Sequence, residues 1–176
     1  FLQDNFYMDM KLTTEQQRIL KDLYSVDEQI TLKTIKVLRS KGGVFAIEAL
    51  MEILFSNKTE EISVEINSLF RDLKDTKAAV VILSNLEKYH DSEMISDFIA
   101  ALWQSSLPFE SLELFVKIFV AGTDKTAFEA LTLIQQNAAN LSDNSRKNCL
   151  LILKSDIDKL SDFKKALAVD LIEVLQ

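Results

Sequence analysis

The chain of 176 residues is 48% hydrophobic and 27% charged, and it carries a net charge of −7. This length corresponds to one domain and supplies ample apolar material for a core. The chain contains three glycines and one proline, whereas an average chain of this length carries about 21 of the two together. Because tight turns between strands depend on those residues, the composition excludes a turn-rich sheet and predicts an all-α fold.

Composition also excludes several kinds of chemistry. One histidine and one cysteine cannot form a Cys/His zinc site, a disulfide framework or most nucleophile–base relays. The acidic charge disfavours binding to the phosphates of DNA or RNA. No apolar run approaches the ~20 residues of a membrane span, and residues 1–11 lack the apolar stretch of a signal peptide. We therefore predict a cytoplasmic protein that holds no metal or cofactor and binds neither nucleic acid nor membrane.

Helical periodicity recurs along the chain. Thr14–Gln17 and Ser25–Glu28 both have the spacing of a capping box, which predicts two helix starts. Gly42–Gly43 predicts the end of the second helix, and Pro108 suits the first turn of a later one. Further breaks are predicted near residues 57–59, 74–76, 90–92, 105–108, 122–124 and 140–144. About ten short helices result, joined by short links.

The helices repeat at a regular spacing. Apolar pairs in alternate segments lie 32, 33 and 31 residues apart: Val37-Leu38, Leu69-Phe70, Leu102-Trp103 and Leu133-Ile134. The intervening segments repeat at 33, 35 and 34 residues, through Leu50, Leu83, Ile118 and Ile152. A period of about 33 residues that contains two short helices is typical of an α-solenoid.

In helix-pair layout and apolar stripes, residues 26–160 resemble the HEAT/armadillo-type helical repeats. The resemblance implies a right-handed α-solenoid of about ten antiparallel helices in one domain, residues 1–176. It comprises an N-terminal cap at 1–25, four helix-pair repeats at 26–160 and a capping helix at 161–176. The chain departs from the HEAT pattern because its single proline is Pro108. It also lacks the tetratricopeptide and ankyrin motifs. No subfamily is identified, so no functional residue is carried over.

Individual motifs that resemble catalytic or metal sites have simpler explanations. Glu87-x-x-His90 has a di-iron spacing, but that site needs a second copy of the motif and the chain has one histidine. Asp156–Asp162 lacks the glycine and glutamate of a calcium loop. We expect both motifs to be helix ends, and Cys149 and Trp103 to lie in the core. Phosphate-loop and dinucleotide motifs are absent, so we predict no catalytic activity.

The second helix of each pair usually lines the concave groove of a solenoid. Here these inner helices are predicted at residues 44–56, 76–89, 108–121 and 145–156. Their polar positions are candidate protein-binding residues: Glu48, Glu52, Glu87, Glu110, Glu113 and Lys117. The groove is predicted to be acidic, turning basic near Arg146 and Lys147, which favours a basic partner. We therefore predict a non-catalytic protein-binding scaffold or adaptor, either a monomer or a homodimer.

Two alternatives come from other classes of protein. A structural homo-oligomer would use apolar surface that the helix at residues 163–176 leaves for a second copy. A HEAT-like nucleic-acid-binding protein, such as the HEAT-like DNA glycosylases, needs a basic cleft. Residues 89–145 carry eight acidic and two basic side chains, which disfavours that reading. The apolar cluster in residues 1–8 is consistent with a packing cap or a partner motif.

Overall fold

The structure is a computed structural model that describes residues 11–56 and 58–176, so the apolar cluster in residues 1–8 lies outside it. Its regular secondary structure in those ranges is entirely helical, which confirms the predicted fold class. The α-helices are α1 Thr14–Leu23, α2 Glu28–Lys41, α3 Ile47–Phe55, α4 Glu60–Arg71, α5 Lys77–Leu86, α6 Ile95–Ser105, α7 Glu113–Ala121, α8 Asp124–Asn137, α9 Asp143–Asp156 and α10 Asp162–Leu175. Single 3₁₀ turns precede α3 at Val44–Ala46 and follow α5, α8 and α9 at Glu87–Tyr89, Ala138–Asn140 and Ile157–Lys159.

Short polar side chains start half of these helices. At α1, α2, α8, α9 and α10 the N-cap side chain accepts a hydrogen bond from a backbone N–H of the first turn; the caps are Thr13, Asp27, Thr123, Ser142 and Ser161. These bonds satisfy donors that lack a partner within the helix. The capping box of α1 is Thr13–Gln16, one residue earlier than predicted. The predicted stop is confirmed, because Gly42 ends α2 with φ at 77°.

The helices contact one another in two rows. The even-numbered helices form a continuous row in which α2, α4, α6, α8 and α10 each pack against the next. The odd-numbered helices pack as α1 with α3, α3 with α5, and α7 with α9, but contact between α5 and α7 is slight. One cluster of buried apolar side chains runs from Leu23 in α1 to Leu175 in α10. The helix pairs therefore share a single core. In this part of the chain, no helix is both long and apolar enough to cross a membrane.

The even row repeats a buried polar position near the start of each helix. In α2, α4, α6 and α8 this position holds a small hydroxyl side chain, at Thr31, Ser63, Ser96 and Thr126. In α10 it holds Lys164, whose Nζ donates to the carbonyls of Val120 at 2.6 Å and Gly122 at 2.8 Å. Thr31 makes a similar link, from its Oγ1 to the carbonyl of Leu23 at 3.3 Å. The first turns of α2 and α10 thus lie against the ends of α1 and α7.

The helix predicted to begin at Pro108 begins instead at Glu113. Residues 107–112 are non-helical, although Leu107, Phe109 and Leu112 are buried. The N–H of Phe109 donates to Oδ1 of Asn137 at 2.9 Å, and its ring meets that of Phe115 edge-on at 5.2 Å. The side chain of Asn137 therefore supplies the acceptor that the backbone N–H of Phe109 would otherwise lack. The buried apolar side chains hold the rest of the segment against the core.

Two predicted core positions are more exposed than expected. Trp103 is half-buried against the core, and its indole Nε1 donates to Oε2 of Glu129 at 2.7 Å. An indole N–H needs such a partner when its ring is partly buried. Val37 is 40% exposed, and its neighbour Leu38 alone fills the core position of that apolar pair. Cys149 is fully buried, as predicted.

We predict that Lys164→Met lowers the free energy of unfolding by about 2 kcal/mol, because hydrogen bonds from a charged donor contribute roughly 1.5–3 kcal/mol. Methionine keeps the apolar stem but leaves the carbonyls of Val120 and Gly122 without their donor. Urea denaturation measures the change. The control is Lys165→Met at the exposed neighbouring position, where stability should stay within about 0.5 kcal/mol. Equal stability of the two variants would contradict the role of Lys164.

Candidate functional site

Two of the candidate residues, Glu48 and Glu52, lie one turn apart on the exposed face of α3. The other face of α3 is buried through Ile47, Leu50, Met51 and Leu54, so the helical period directs both carboxylates outward. The hydroxyl of Tyr24, at the end of α1, donates to Oε2 of Glu52 at 2.5 Å. Nζ of Lys88 lies 3.6 Å from Oε1 of Glu48. Side chains from three separate elements therefore meet on this face.

Aromatic rings border the two carboxylates. The rings of Phe55 and Tyr89 stack with centroids 4.3 Å apart and an interplanar angle of 12°. Tyr24 is 48% exposed and Tyr89 is half-buried. We call the surface formed by Tyr24, Glu48, Glu52, Phe55 and Tyr89 the acidic–aromatic face. It combines negative charge with accessible ring surface.

The tyrosine pKa values are consistent with this proximity. Burial raises the pKa of Tyr89, and the negative charges of Glu52 and Glu48 raise it further. Burial also raises the pKa of Tyr24, together with its hydrogen bond to Glu52 and the charge of that carboxylate. Both phenols therefore stay protonated at neutral pH, and Tyr24 remains a donor to Glu52.

The third candidate, Glu87, is exposed in the 3₁₀ turn that follows α5. The next residue, Lys88, contacts Glu48 and also donates to Oδ1 of Asn85 at 3.0 Å. Because α5 packs against α3, this turn lies beside the acidic–aromatic face. The structure thus brings three of the six predicted residues onto neighbouring elements.

Glu113 occupies a different kind of position, half-buried where α7 packs against α9. Its Oε2 accepts a hydrogen bond from the hydroxyl of Ser111 at 2.7 Å. Burial raises the pKa of this carboxyl, but hydrogen bonds from Ser111, its own backbone, Asn148 and Ser145 outweigh burial and lower the pKa overall. Glu113 therefore links α7 to α9.

The remaining candidates do not join the first group. Glu110 is exposed in the non-helical segment before α7, in a shallow hollow beside Asn140 and Ser142. Lys117 is exposed on α7, one turn after Glu113. Since α5 and α7 make little contact, this region is separate from the acidic–aromatic face. The predicted residues thus fall into two groups along the odd row.

Arg146 contributes less positive charge to the surface than the sequence predicts for this end of the groove. Its guanidinium is half-buried and donates to the carbonyls of Ala138 at 2.6 Å and Val174 at 3.3 Å. Carbonyls at helix ends attract cations, so this arginine is used inside the fold. Lys147 remains exposed.

Sequence reasoning missed the aromatic part of the face. Phe55 and Tyr89 are 34 residues apart, which matches the spacing of the intervening helices, so the period itself could have predicted their contact. No sequence pattern predicts the contact between Tyr24 and Glu52. The helical period predicts only that Glu52 is exposed. Local sequence does not reveal which side chain from another helix reaches a given carboxylate.

The motifs expected to be helix ends have that character. His90 is exposed, and its Nδ1 lies 2.8 Å from the carbonyl oxygen of Glu87. Asp156 pairs with Lys159 at 2.6 Å across the end of α9. Across residues 11–56 and 58–176, no three His, Cys, Asp or Glu side chains are grouped so that they could hold a metal ion.

We predict that Glu113→Gln lowers the free energy of unfolding at neutral pH by about 1 kcal/mol, the scale of one hydrogen bond. Because the folded-state pKa lies below the ordinary value of 4.5, the ionised carboxylate stabilises the fold above that value. This stabilisation is lost as the pH falls through the lowered pKa. Urea denaturation across acidic pH should therefore show the two proteins converging. The control is Glu110→Gln, and a constant difference at every pH would contradict the prediction.

We predict that the thiol of Cys149 is unreactive in the folded protein. Burial raises its pKa to about 12, and the charge of Glu113 adds to the effect. The thiolate is the reactive form, so a disulfide reagent at mildly alkaline pH should react only after unfolding in guanidinium. The chain has one cysteine, so the signal reports this site alone. Rapid reaction in native buffer would contradict the buried position.

Comparison with known proteins gives no relative from which residue roles could be transferred. No family model matches the chain, and no curated protein or solved structure shows significant similarity to it. The contacts and charges described above are therefore the basis for assigning a function.

Proposed function

We propose that this chain is a non-catalytic protein-binding scaffold or adaptor, whose helix pairs form an α-solenoid and whose acidic–aromatic face binds a basic segment of a partner protein. One observation carries the proposal: the carboxylates of Glu48 and Glu52 lie beside the side chains of Tyr24 and Tyr89. The remaining support comes from the packing of the helices and the placement of charge.

The solenoid part of the proposal is supported by contacts that recur between alternate helices. Lys36 in α2 pairs with Glu65 in α4 at 3.9 Å. Asp97 in α6 pairs with Lys125 in α8 at 2.6 Å. Both pairs join consecutive helices of the even row, which are two apart in the chain. A protein whose units contact mainly their neighbours exposes a long surface suited to extended partners.

The chemistry of the acidic–aromatic face favours a cationic partner. Two carboxylates at i and i+4 repel each other by a few tenths of a kcal/mol. Lys88 offsets little of this, because the 3.6 Å pair with Glu48 is largely exposed on both sides. A lysine or arginine from a partner would relieve the repulsion. The same side chain would also contact a tyrosine ring. A cation over the face of such a ring contributes about 0.5–1 kcal/mol of binding free energy at exposed sites.

Arginine suits the face better than lysine. Its planar guanidinium stacks on aromatic rings and binds a carboxylate through two parallel hydrogen bonds. Glu48 and Glu52 supply the carboxylates, while Tyr24 holds Glu52 in place through its hydroxyl. The net charge of −7 also attracts a basic segment from a distance and speeds its encounter.

The test is charge reversal on α3. We predict that Glu48→Lys with Glu52→Lys weakens binding of a fluorescent arginine-rich helical peptide at least tenfold, about 1.4 kcal/mol, in an anisotropy titration at low salt. An acidic peptide of equal length should not bind the wild-type chain. The matched control is Glu110→Lys with Asp158→Lys, two exposed positions beside α7 and α9 and apart from the face, which give the same change in net charge.

A loss of binding that is equal in both double variants would show general attraction to an acidic protein and overturn the assignment to this face. Tyr89→Phe and Tyr89→Ala then separate charge from ring contact. We expect phenylalanine to keep most of the affinity and alanine to lose part of it, since only the latter removes the ring.

A further inference from the structure

The two ends of the even row are covered on one side only. Each inner helix of the row contacts a row neighbour on both sides, whereas α2 contacts only α4 and α10 only α8 within the row. Terminal units of helical repeats usually present a polar outer surface. Here Ile30 and Val37 on α2 are 41% and 40% exposed, and Val169 on α10 is 65% exposed. Both ends therefore keep apolar side chains at the surface.

At the α2 end of the row, an open groove of about 560 Å³ lies between α1 and α2. Ile19 from α1 and Ile30 and Val37 from α2 contribute its apolar surface. Lys33, between the two exposed apolar residues of α2, is exposed in the same groove. The groove thus places three apolar side chains beside a lysine.

The other charges of the groove are already paired. Lys41 contacts Glu15 at 3.1 Å, and Arg18 contacts Asp22 at 3.8 Å. Lys33 has no such carboxylate partner in the part of the chain that the structure describes. The groove thus offers one cation to an incoming acidic side chain.

At the other end, α10 presents the opposite charge. Its buried stripe consists of Lys164, Ala168, Leu171 and Leu175. The helical period places Ala166, Val169 and Glu173 on the opposite face, with Asp170 beside them, and all four are exposed. Neither Asp170 nor Glu173 has a cationic partner among the described residues. The outward face of α10 is therefore apolar with an acidic border.

We propose that the groove between α1 and α2 receives the outward face of α10 from a second copy of this chain. Ile30 and Val37 would cover Ala166 and Val169, and Lys33 would meet Asp170 or Glu173. The contact would add a helix to the even row at the side of α2 where the row stops. The proposal rests on the order of contacts within the even row. It does not depend on the acidic–aromatic face, because no residue of that face lines the groove.

The proposed contact joins two different surfaces, so it does not close on itself as a two-fold dimer does. Each dimer would keep one unused groove and one unused α10 face, which allows longer assemblies. The net charge of −7 on each copy opposes association at low ionic strength. Physiological salt screens that repulsion beyond about 8 Å, while the apolar contact is retained.

Complementary variants provide the test. Lys33→Glu with Val37→Glu blocks the groove, and Ala166→Glu with Val169→Glu blocks α10. All four positions are exposed, and circular dichroism checks that each variant is folded. Sedimentation velocity at physiological salt should show wild-type mass rising with concentration to twice 20.0 kDa and beyond, while each variant alone stays at 20.0 kDa.

An equal mixture of the two blocked variants is the decisive sample. One variant keeps its α10 face and the other keeps its groove, so the mixture should form a dimer and stop there. The control is Val64→Glu with Val80→Glu, which charges exposed apolar positions away from both ends and should associate like wild type.

A wild-type chain that stays at 20.0 kDa at every concentration would overturn the proposal, as would blocked variants that still associate alone. Glu48→Lys with Glu52→Lys should leave the association intact. Peptide binding is measured at concentrations where the chain is monomeric, so failure of one proposal is distinguishable from failure of the other.

Discussion

The backbone groups at the ends of many short helices constrain the rest of this structure. Each α-helix leaves four N–H and four C=O groups without partners inside the helix. In helices of 9–14 residues these end groups are a large share of the backbone. Side-chain caps satisfy some of the donors, and Lys164 and Arg146 donate to carbonyls near the ends of α7 and α10. The same bonds that complete the helices therefore tie distant parts of the chain together.

This use of cations shapes the surface charge. Lys36, Arg39 and Lys125 pair with acids on neighbouring helices of the even row, and Arg146 is turned inward. Within the odd row, α3 carries two acids and no basic residue, and Lys88 from the turn after α5 is the cation that pairs with Glu48. The negative charge of the acidic–aromatic face thus follows from the composition of α3 as well as from the net charge of −7.

The sequence predicted those features that depend on local rules. The scarcity of glycine and proline indicated helices, and Gly42 marked a helix end because its positive φ suits that residue. Prediction failed where a partner distant in sequence decides the outcome. Asn137 satisfies the backbone of Phe109 and so permits a buried non-helical segment after Pro108. Glu113 has the exposed-face spacing of a binding residue, but it is half-buried where α7 packs against α9 and it accepts a hydrogen bond from Ser111. Helical period alone does not distinguish these cases.

The two proposed surfaces share no residue, and this separation has a functional consequence. The acidic–aromatic face belongs to the end of α1, to α3 and to the turn after α5, whereas head-to-tail contact would use the groove between α1 and α2 and the outward face of α10. Association would therefore leave the acidic–aromatic face of every copy open and repeat it along the assembly. A partner with several basic segments could then engage several faces at once. Linked binding of this kind raises avidity by roughly 10²–10⁴ without any new contact, so a face of modest intrinsic affinity would suffice for a scaffold.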